Sequence, residues 1–301
     1  MEILPGARAD SFDRPAEIYL LSHFHEDHMA GLGKGWSSGP LYASKITCRL
    51  LADLSRVDPA CLRPLGEWGS VRAGRWTVTA LPANHCPGSV MFHVERDGVG
   101  SVLYTGDFRL DDGVRRALAG LPPVDTAYVD CTYSDQRYSF PPQEEAVRRV
   151  VEIASRADRG REVMLAVYTI GKNRIVEAVS RACESPVYMP ERLRRVYELI
   201  GMGRFVTGSR ESTRLRGYAR AYLEERFRML PASRRRNSLV IVPTGWARDE
   251  RELEQRRFGA TFHYVPYSEH CDAAETVEAL SLIRAGRVVR LSGRPAPGRA
   301  G

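Results

Sequence analysis

The stretch Ser22–Leu32, SHFHEDHMAGL, places three of the chain's seven histidines, with a glutamate and an aspartate, inside six consecutive positions. Burying such a cluster costs free energy unless something binds it, and a merely solvated loop gives no reason to assemble it. The fold therefore has to carry this stretch where further ligands can reach it; the alternative is a solvated loop rich in histidine. Residues two apart in extended backbone project to the same side, so His23 and His25 can share one metal ion. Asp27 and His28, after the chain bends, face a second position. Imidazole nitrogens combined with carboxylate oxygens suit zinc and are acceptable to other divalent first-row ions. One cluster holds too few ligands for two ions. The missing ones would be a further histidine and a bridging carboxylate, and the chain offers His85 in NHCPGS and Asp107 in TGDFR.

Both lie where a strand is expected to stop. The first third of the chain predicts short strands at Glu17–Ser22, Trp76–Leu81, Ser89–Glu95 and Ser101–Thr105, each apolar or alternating and bounded by Gly, Pro or Asp. Loops at the ends of strands on a rigid sheet are the usual place for chemistry. His93, alternating with Phe92 and Val94, is read as an outward imidazole, and His263 in FHYVP likewise. After Asp130 the pattern changes to a helix opened by Pro141-Pro142 and a buried strand Val163–Tyr168. The turn Thr169–Lys172 and a helix with Ile175, Val176, Val179 and Ala182 inward follow, which together describe an α/β unit. A helix near Glu191–Ile200, strands Ser238–Pro243 and Phe262–Pro266, a helix Ala273–Arg284 and a strand Arg287–Leu291 complete the expected elements.

At 301 residues with 43% hydrophobic content, the chain reads as a globular protein with one large core or two modest ones. No run of about eighteen apolar residues exists, and Met1–Asp10 lacks a basic start followed by an apolar core, so an intracellular protein is expected. The six cysteines are scattered without a CxxC pair, which argues against a zinc ribbon and against a disulfide framework. The net charge of +7 is unevenly spread: residues 191–236 carry thirteen arginines against five glutamates. That stretch suits an anionic partner, most simply a nucleic-acid backbone; a solvated helical surface is the plainer alternative.

HFHEDH, NHCPG, TGDFR, DCTY and PYSEH, in that order, resemble the metallo-β-lactamase-fold nucleases with a β-CASP insertion. The likeness is greatest to their DNA cross-link repair branch, Artemis- and Apollo-like, and covers roughly Asp10 to Val289. The resemblance implies an α/β (α+β) fold, an αββα metallo-β-lactamase sandwich with an inserted α/β β-CASP domain. Residues 1–134 and 267–301 would build the sandwich and 135–266 the insertion.

It also implies roles. His23, His25, His85 and Asp107 would hold a first zinc, and Asp27, His28 and Asp107 a second that takes zinc or another divalent ion. Asp10 would orient ligands from behind. Asp27, Asp130 and His270 would be catalytic, with His270, paired to Asp130, near the scissile phosphate. Paired cations supply an acidified water and clamp phosphate oxygens. Val289 in GRVVRLSG occupies the position where a valine goes with DNA and a histidine with RNA. YTIGKNR resembles the segment that lies near a pocket for a terminal 5′-phosphate, with Tyr168, Thr169, Gly171 and Lys172 as candidate contacts; a glycine turn opening a helix also exposes N–H groups to an anion. Tyr133 and Tyr138 are open between base stacking and core packing.

The function so implied is a 5′→3′ exodeoxyribonuclease with possible structure-specific endonuclease activity, in interstrand cross-link or double-strand break repair. The expected partner is DNA with a 5′-phosphorylated end, with no membrane involved, and the expected location is the nucleus. Alternatives are an RNA-processing β-CASP nuclease, a small-molecule hydrolase of the same superfamily and a non-catalytic DNA-binding relative.

Overall fold

The computed structural model describes residues 1–247 and 254–291. The chain divides into two compact units, Met1–Ser139 with the segment from Glu269 onward, and Phe140–Ser268. The boundaries expected from sequence, 134/135 and 266/267, stand beside these at 139/140 and 268/269.

In the first unit two sheets face one another. One runs β1 (Glu2–Leu4), β2 (Ala7–Ala9), β3 (Ile18–Leu20), β4 (Leu41–Ser44), β5 (Leu62–Leu65). The other, in spatial order, is β18 (Ala285–Leu291), β10 (Val124–Asp130), β9 (Gly100–Tyr104), β8 (Val90–Arg96), β7 (Trp76–Pro82), β6 (Ser70–Ala73). Ala7, Ala9, Ile18 and Leu20 from the first sheet meet Val78, Ala80, Phe92 and Val94 from the second in one apolar core. The second sheet's other face carries Met91, Leu103, Ala127 and Val129, packed against α2 (Asp112–Gly120) and α8 (Ala273–Leu282) through Val114, Leu118 and Ala279. Beyond the first sheet, α1 (Lys45–Leu50) packs on β4 and β5. The layers are helix, sheet, sheet, helix, an αββα sandwich.

Local chemistry starts these helices. The Asp111 side chain accepts from Val114 N–H at the start of α2, and Asp272 and Glu275 form a reciprocal capping box at the start of α8. Because both faces of the second sheet are covered, the outward assignment of His93 fails. It is 6% exposed, and its Nε2 has no hydrogen-bond partner among the described residues. Alternation along a strand signals a solvated face only when no second layer covers it.

The second unit is a mainly parallel sheet ordered β13 (Val206–Thr207), β12 (Val187–Tyr188), β14 (Leu215–Ala219), β11 (Glu162–Val167), β15 (Ser238–Thr244), β17 (Ala260–Pro266), β16 (Glu254–Arg257), with β16 antiparallel at the edge. One face packs on α3 (Gln143–Arg156), α4 (Asn173–Ala182) and α5 (Glu191–Leu199), the other on α6 (Arg220–Arg228) through Leu223 and Phe227. A short α7 (Ala232–Arg236) precedes β15. Among the described residues no helix is long and apolar enough to cross a membrane.

Several arginines of the basic stretch are engaged inside this unit. Arg216 is buried and pairs with Glu162 at 3.1 Å, which Arg234 also meets at 2.6 Å. Arg214 donates to Ala154 O at the end of α3, where carbonyls lack helical partners and a cation is favourable. Part of the surplus charge therefore serves the fold.

Candidate metal centre

The sheet directions bring the chemistry together. β7 and β9 each run antiparallel to β8, and β10 runs parallel to β9, so the C-terminal ends of β7, β9 and β10 share one edge. His85 follows β7, Asp107 follows β9, and Asp130 ends β10. The chain leaving β3 adds Ser22, His23 and His25, and a 3-10 turn Glu26–His28 adds His28. One glycine makes the approach possible: Gly106 has φ +52°, and a Cβ on it would lie 2.5 Å from Ser22 Cβ.

Three groups of potential ligands result: His23, His25, His85 and Asp107; Asp10, His23 and His28; and Asp107, Asp130 and His270, each with ligand atoms within 4.8 Å of one another. Asp107 Oδ2 stands 3.6 Å from His23 Nε2, 3.6 Å from His85 Nε2, 3.4 Å from His28 Nε2 and 3.9 Å from His270 Nε2. His25 Nδ1 lies 2.8 Å from His23 Nε2 and 3.2 Å from His85 Nε2.

The supporting hydrogen bonds fix which nitrogen carries a proton. Asp10, held at φ +48°, accepts at Oδ2 from Ser22 Oγ at 2.6 Å, His28 Nδ1 at 2.6 Å and Tyr104 OH at 3.0 Å. Ser22 has one hydroxyl proton, and the Asp10 carboxylate takes it. Ser22 Oγ, 2.9 Å from His23 Nδ1, must then accept the imidazole N–H. His85 Nδ1 donates to Glu269 O at 2.7 Å, and His270 Nδ1 to Asp130 Oδ2 at 2.8 Å. Asp130 Oδ1 in turn accepts from Thr132 N and Oγ1. Each of these histidines presents Nε2 toward Asp107, the arrangement of a metal-ligating imidazole whose other nitrogen is anchored behind it.

These residues fit a divalent cation. With the δ protons of His23 and His85 directed elsewhere, their Nε2 lone pairs both face the Asp107 carboxylate at 3.6 Å, a repulsion that a cation removes. Atoms bound tetrahedrally at ~2.1 Å stand about 3.4 Å apart, and the distances here run from 2.8 to 3.6 Å.

In the metal-free protein, burial and the neighbouring imidazoles push His23 well below its ordinary range, and burial with His270 nearby takes His85 down to about 4. Burial also opposes charge on His28 and His270. Asp10 outweighs it at His28, raising that group to about 11, and Asp130 with Asp107 outweighs it at His270, raising that one to about 9. Burial opposes ionisation of Asp107, but His270, His28 and His23 hold it well below the usual carboxylate range.

Other expected residues fall elsewhere. Asp27 is exposed and joins none of the three groups. Tyr133 and Tyr138 are buried and edge-on to each other at 4.8 Å, and the Tyr133 ring also stands edge-on to His270 at 5.8 Å, beside the site. Val289 is half-buried in β18, opposite Tyr128. In the second unit, Lys172 is buried with its Nζ donating to Pro243 O at 2.6 Å and lying 4.0 Å from the centre of the Tyr168 ring. Gly171 N–H donates to Asn173 Oδ1. Ser22, Tyr104, Thr132 and the Glu269 carbonyl went unmarked in the sequence. Thr132 and Glu269 lie within the quoted motifs, and Ser22 and Tyr104 directly beside them.

Comparison with known proteins gives a consistent picture. Residues 3–166 match the family described as "Beta-lactamase superfamily domain". The chain is 31% identical over 289 residues to "DNA cross-link repair protein SNM1" of Arabidopsis thaliana, covering 90% of this chain and 60% of that protein. It is 32% identical over 281 residues to "5' exonuclease Apollo" of Gallus gallus, covering 91% and 58%. A third relative, "DNA ligase 6" of Arabidopsis thaliana, is 30% identical over 90% of this chain but only 21% of its own length. The chain thus spans from about a fifth to three-fifths of these relatives. A crystal structure of a protein of unknown function from Enterococcus faecalis V583 shares the fold, with a TM-score of 0.62 at 16% identity over 91% of this chain and 75% of that one.

Two outcomes follow from the geometry. Ser22→Ala removes the acceptor that holds His23 Nδ1–H and should weaken metal affinity about 10- to 100-fold, read by chelator competition; unchanged affinity would refute the tautomer assignment. His270, ordinarily near 6.5, is raised to about 9 in the folded state. Its contribution to metal-free stability is therefore complete below pH 6.5 and lost as pH rises through 9. The melting temperature of chelator-treated protein should fall across that window, and His270→Gln should make the fall shallower.

Proposed function

The chain belongs to the β-lactamase superfamily, and from that premise we propose that it is a metal-dependent nuclease hydrolysing phosphodiester bonds of DNA from the 5′ end. The observation that carries this is the convergence of His23, His25, His85 and Asp107 on one point, with His28 and His270 facing the same Asp107 oxygen. The names of the relatives, DNA cross-link repair proteins and 5′ exonucleases, support DNA as substrate, cross-link repair as setting and the nucleus as location.

In this reading His23, His25, His85 and Asp107 would hold a first zinc, and Asp107 and His28 would contribute to a second divalent-ion site. Cations bound there acidify water and neutralise charge on phosphate oxygens. The chain's own residues do the positioning. Asp10 aligns His28 directly and His23 through Ser22. His270, whose Nδ1 faces Asp130 Oδ2 and whose Nε2 faces the Asp107 side of the site, is the group suited to give a proton to the departing oxygen. We assign the terminal 5′-phosphate to the turn Tyr168–Lys172, where Gly171 at φ +112° and Lys172 at φ +56° fold the backbone back on itself. The carbonyl and ring that hold Lys172 keep its charge in a fixed place.

Digestion of a 3′-labelled DNA strand, with and without chelator, tests the activity; chelator-resistant digestion would refute it. Asp107→Ala should slow hydrolysis by about a thousandfold or more while DNA binding stays within a few fold of the parent protein. Removing the 5′-phosphate should slow digestion about tenfold or more, the worth of a charge-assisted contact. Indifference to the phosphate would remove Lys172 as an end sensor.

A further inference from the structure

α6 lays Leu223 and Phe227 on the sheet, with Met164 and Tyr218 beneath them. At the edge of that packing a cavity of about 520 Å³ opens, walled by these four residues and by Arg210, Tyr222, Glu225, Met229 and Leu230. That volume lies within the range of small-ligand sites. Tyr222 is 62% exposed and Met229 79%, so the mouth presents a free aromatic ring and a thioether to solvent, above a floor of buried rings.

Arg210 differs from the arginines that serve the fold. Its guanidinium lies 5.7 Å from the centre of the Tyr188 ring, its buried Nε has no hydrogen-bond partner, and no ion pair engages it among the described residues. Tyr188 in turn lies edge-on to Tyr218. A flat apolar floor, a stackable ring at the mouth and an unpaired cation on the wall match the parts of a nucleotide: an aromatic base with a phosphate beside it. Glu225 adds an acceptor for the exocyclic amino group of a base. Stacking on an aromatic side chain combined with a cationic contact is how single strands are held without sequence preference.

We propose that this cavity takes an unstacked base of single-stranded DNA, with Tyr222 stacking on the base and Arg210 meeting its phosphate. The proposal rests on the DNA reading above and adds to it a base-holding site in the second unit.

The test compares binding of two strands of equal length, both phosphorothioate-linked so that hydrolysis does not obscure binding. One has mixed sequence and the other is abasic throughout. The parent protein with its metal should bind the base-bearing strand roughly fivefold or more tightly over the abasic one. Tyr222→Ala should erase that preference, Tyr222→Trp should keep it, and Arg210→Gln should weaken both strands. Tyr222 is exposed, so its replacement leaves the core intact. A preference that survives Tyr222→Ala, or no preference in the parent protein, overturns the base site while leaving the DNA reading standing. Failure of the parent protein to bind either strand overturns both.

Discussion

The structure turns on a crowding of ligand atoms about one carboxylate oxygen. Asp107 Oδ2 faces the Nε2 atoms of four histidines within 3.9 Å, and anchors behind each ring hold those nitrogens in place. Without a cation this arrangement is costly, because burial removes the water that would separate the groups. The sandwich sustains it by placing His23, His85, Asp107 and Asp130 at the ends of strands locked in the core: β3 through Ile18 and Leu20, β7 through Val78 and Ala80, β9 through Val102 and Leu103, β10 through Ala127 and Val129. Metal binding and folding of this edge are therefore coupled.

The ligand residues were legible in the sequence because histidine and aspartate at strand ends are chemically distinctive letters. The strands that lead there were legible too, since Trp76–Leu81 and Ser101–Thr105 carry apolar or alternating residues bounded by Gly or Pro. The anchors were not. Ser22 and Tyr104 are ordinary residues whose importance lies in meeting Asp10, a contact spanning 94 positions for Tyr104, and the Glu269 carbonyl leaves no trace in side-chain identity. β1 and β2, three residues each, are too short for any periodicity to reveal. His93 misled for the opposite reason, since a clean alternation ran along a strand covered on both faces. The arginine count of residues 191–236 showed an excess of charge. It could not separate Arg216, paired to Glu162 inside the unit, from Arg210, which has no ion pair among the described residues.

Partner type sorts the histidines. His28 and His270 each give their Nδ1 proton to a carboxylate and are held in the charged form; His23 and His85 give theirs to a hydroxyl and a backbone carbonyl and are held neutral. A neutral imidazole is ready to ligate, whereas a charged one must first lose its proton. The same ring at the same rim thus has different chemistry according to what stands behind it. In His270 the consequence is directional: Asp130 is itself fixed by Thr132 and by the bond from its own N–H to Thr105 Oγ1 at 3.0 Å, so the proton on the far nitrogen is aimed at the space beside Asp107. A carboxylate behind His270 and a hydroxyl behind His23 thus separate, within one cluster, a ring suited to carry a proton from a ring ready to bind a cation.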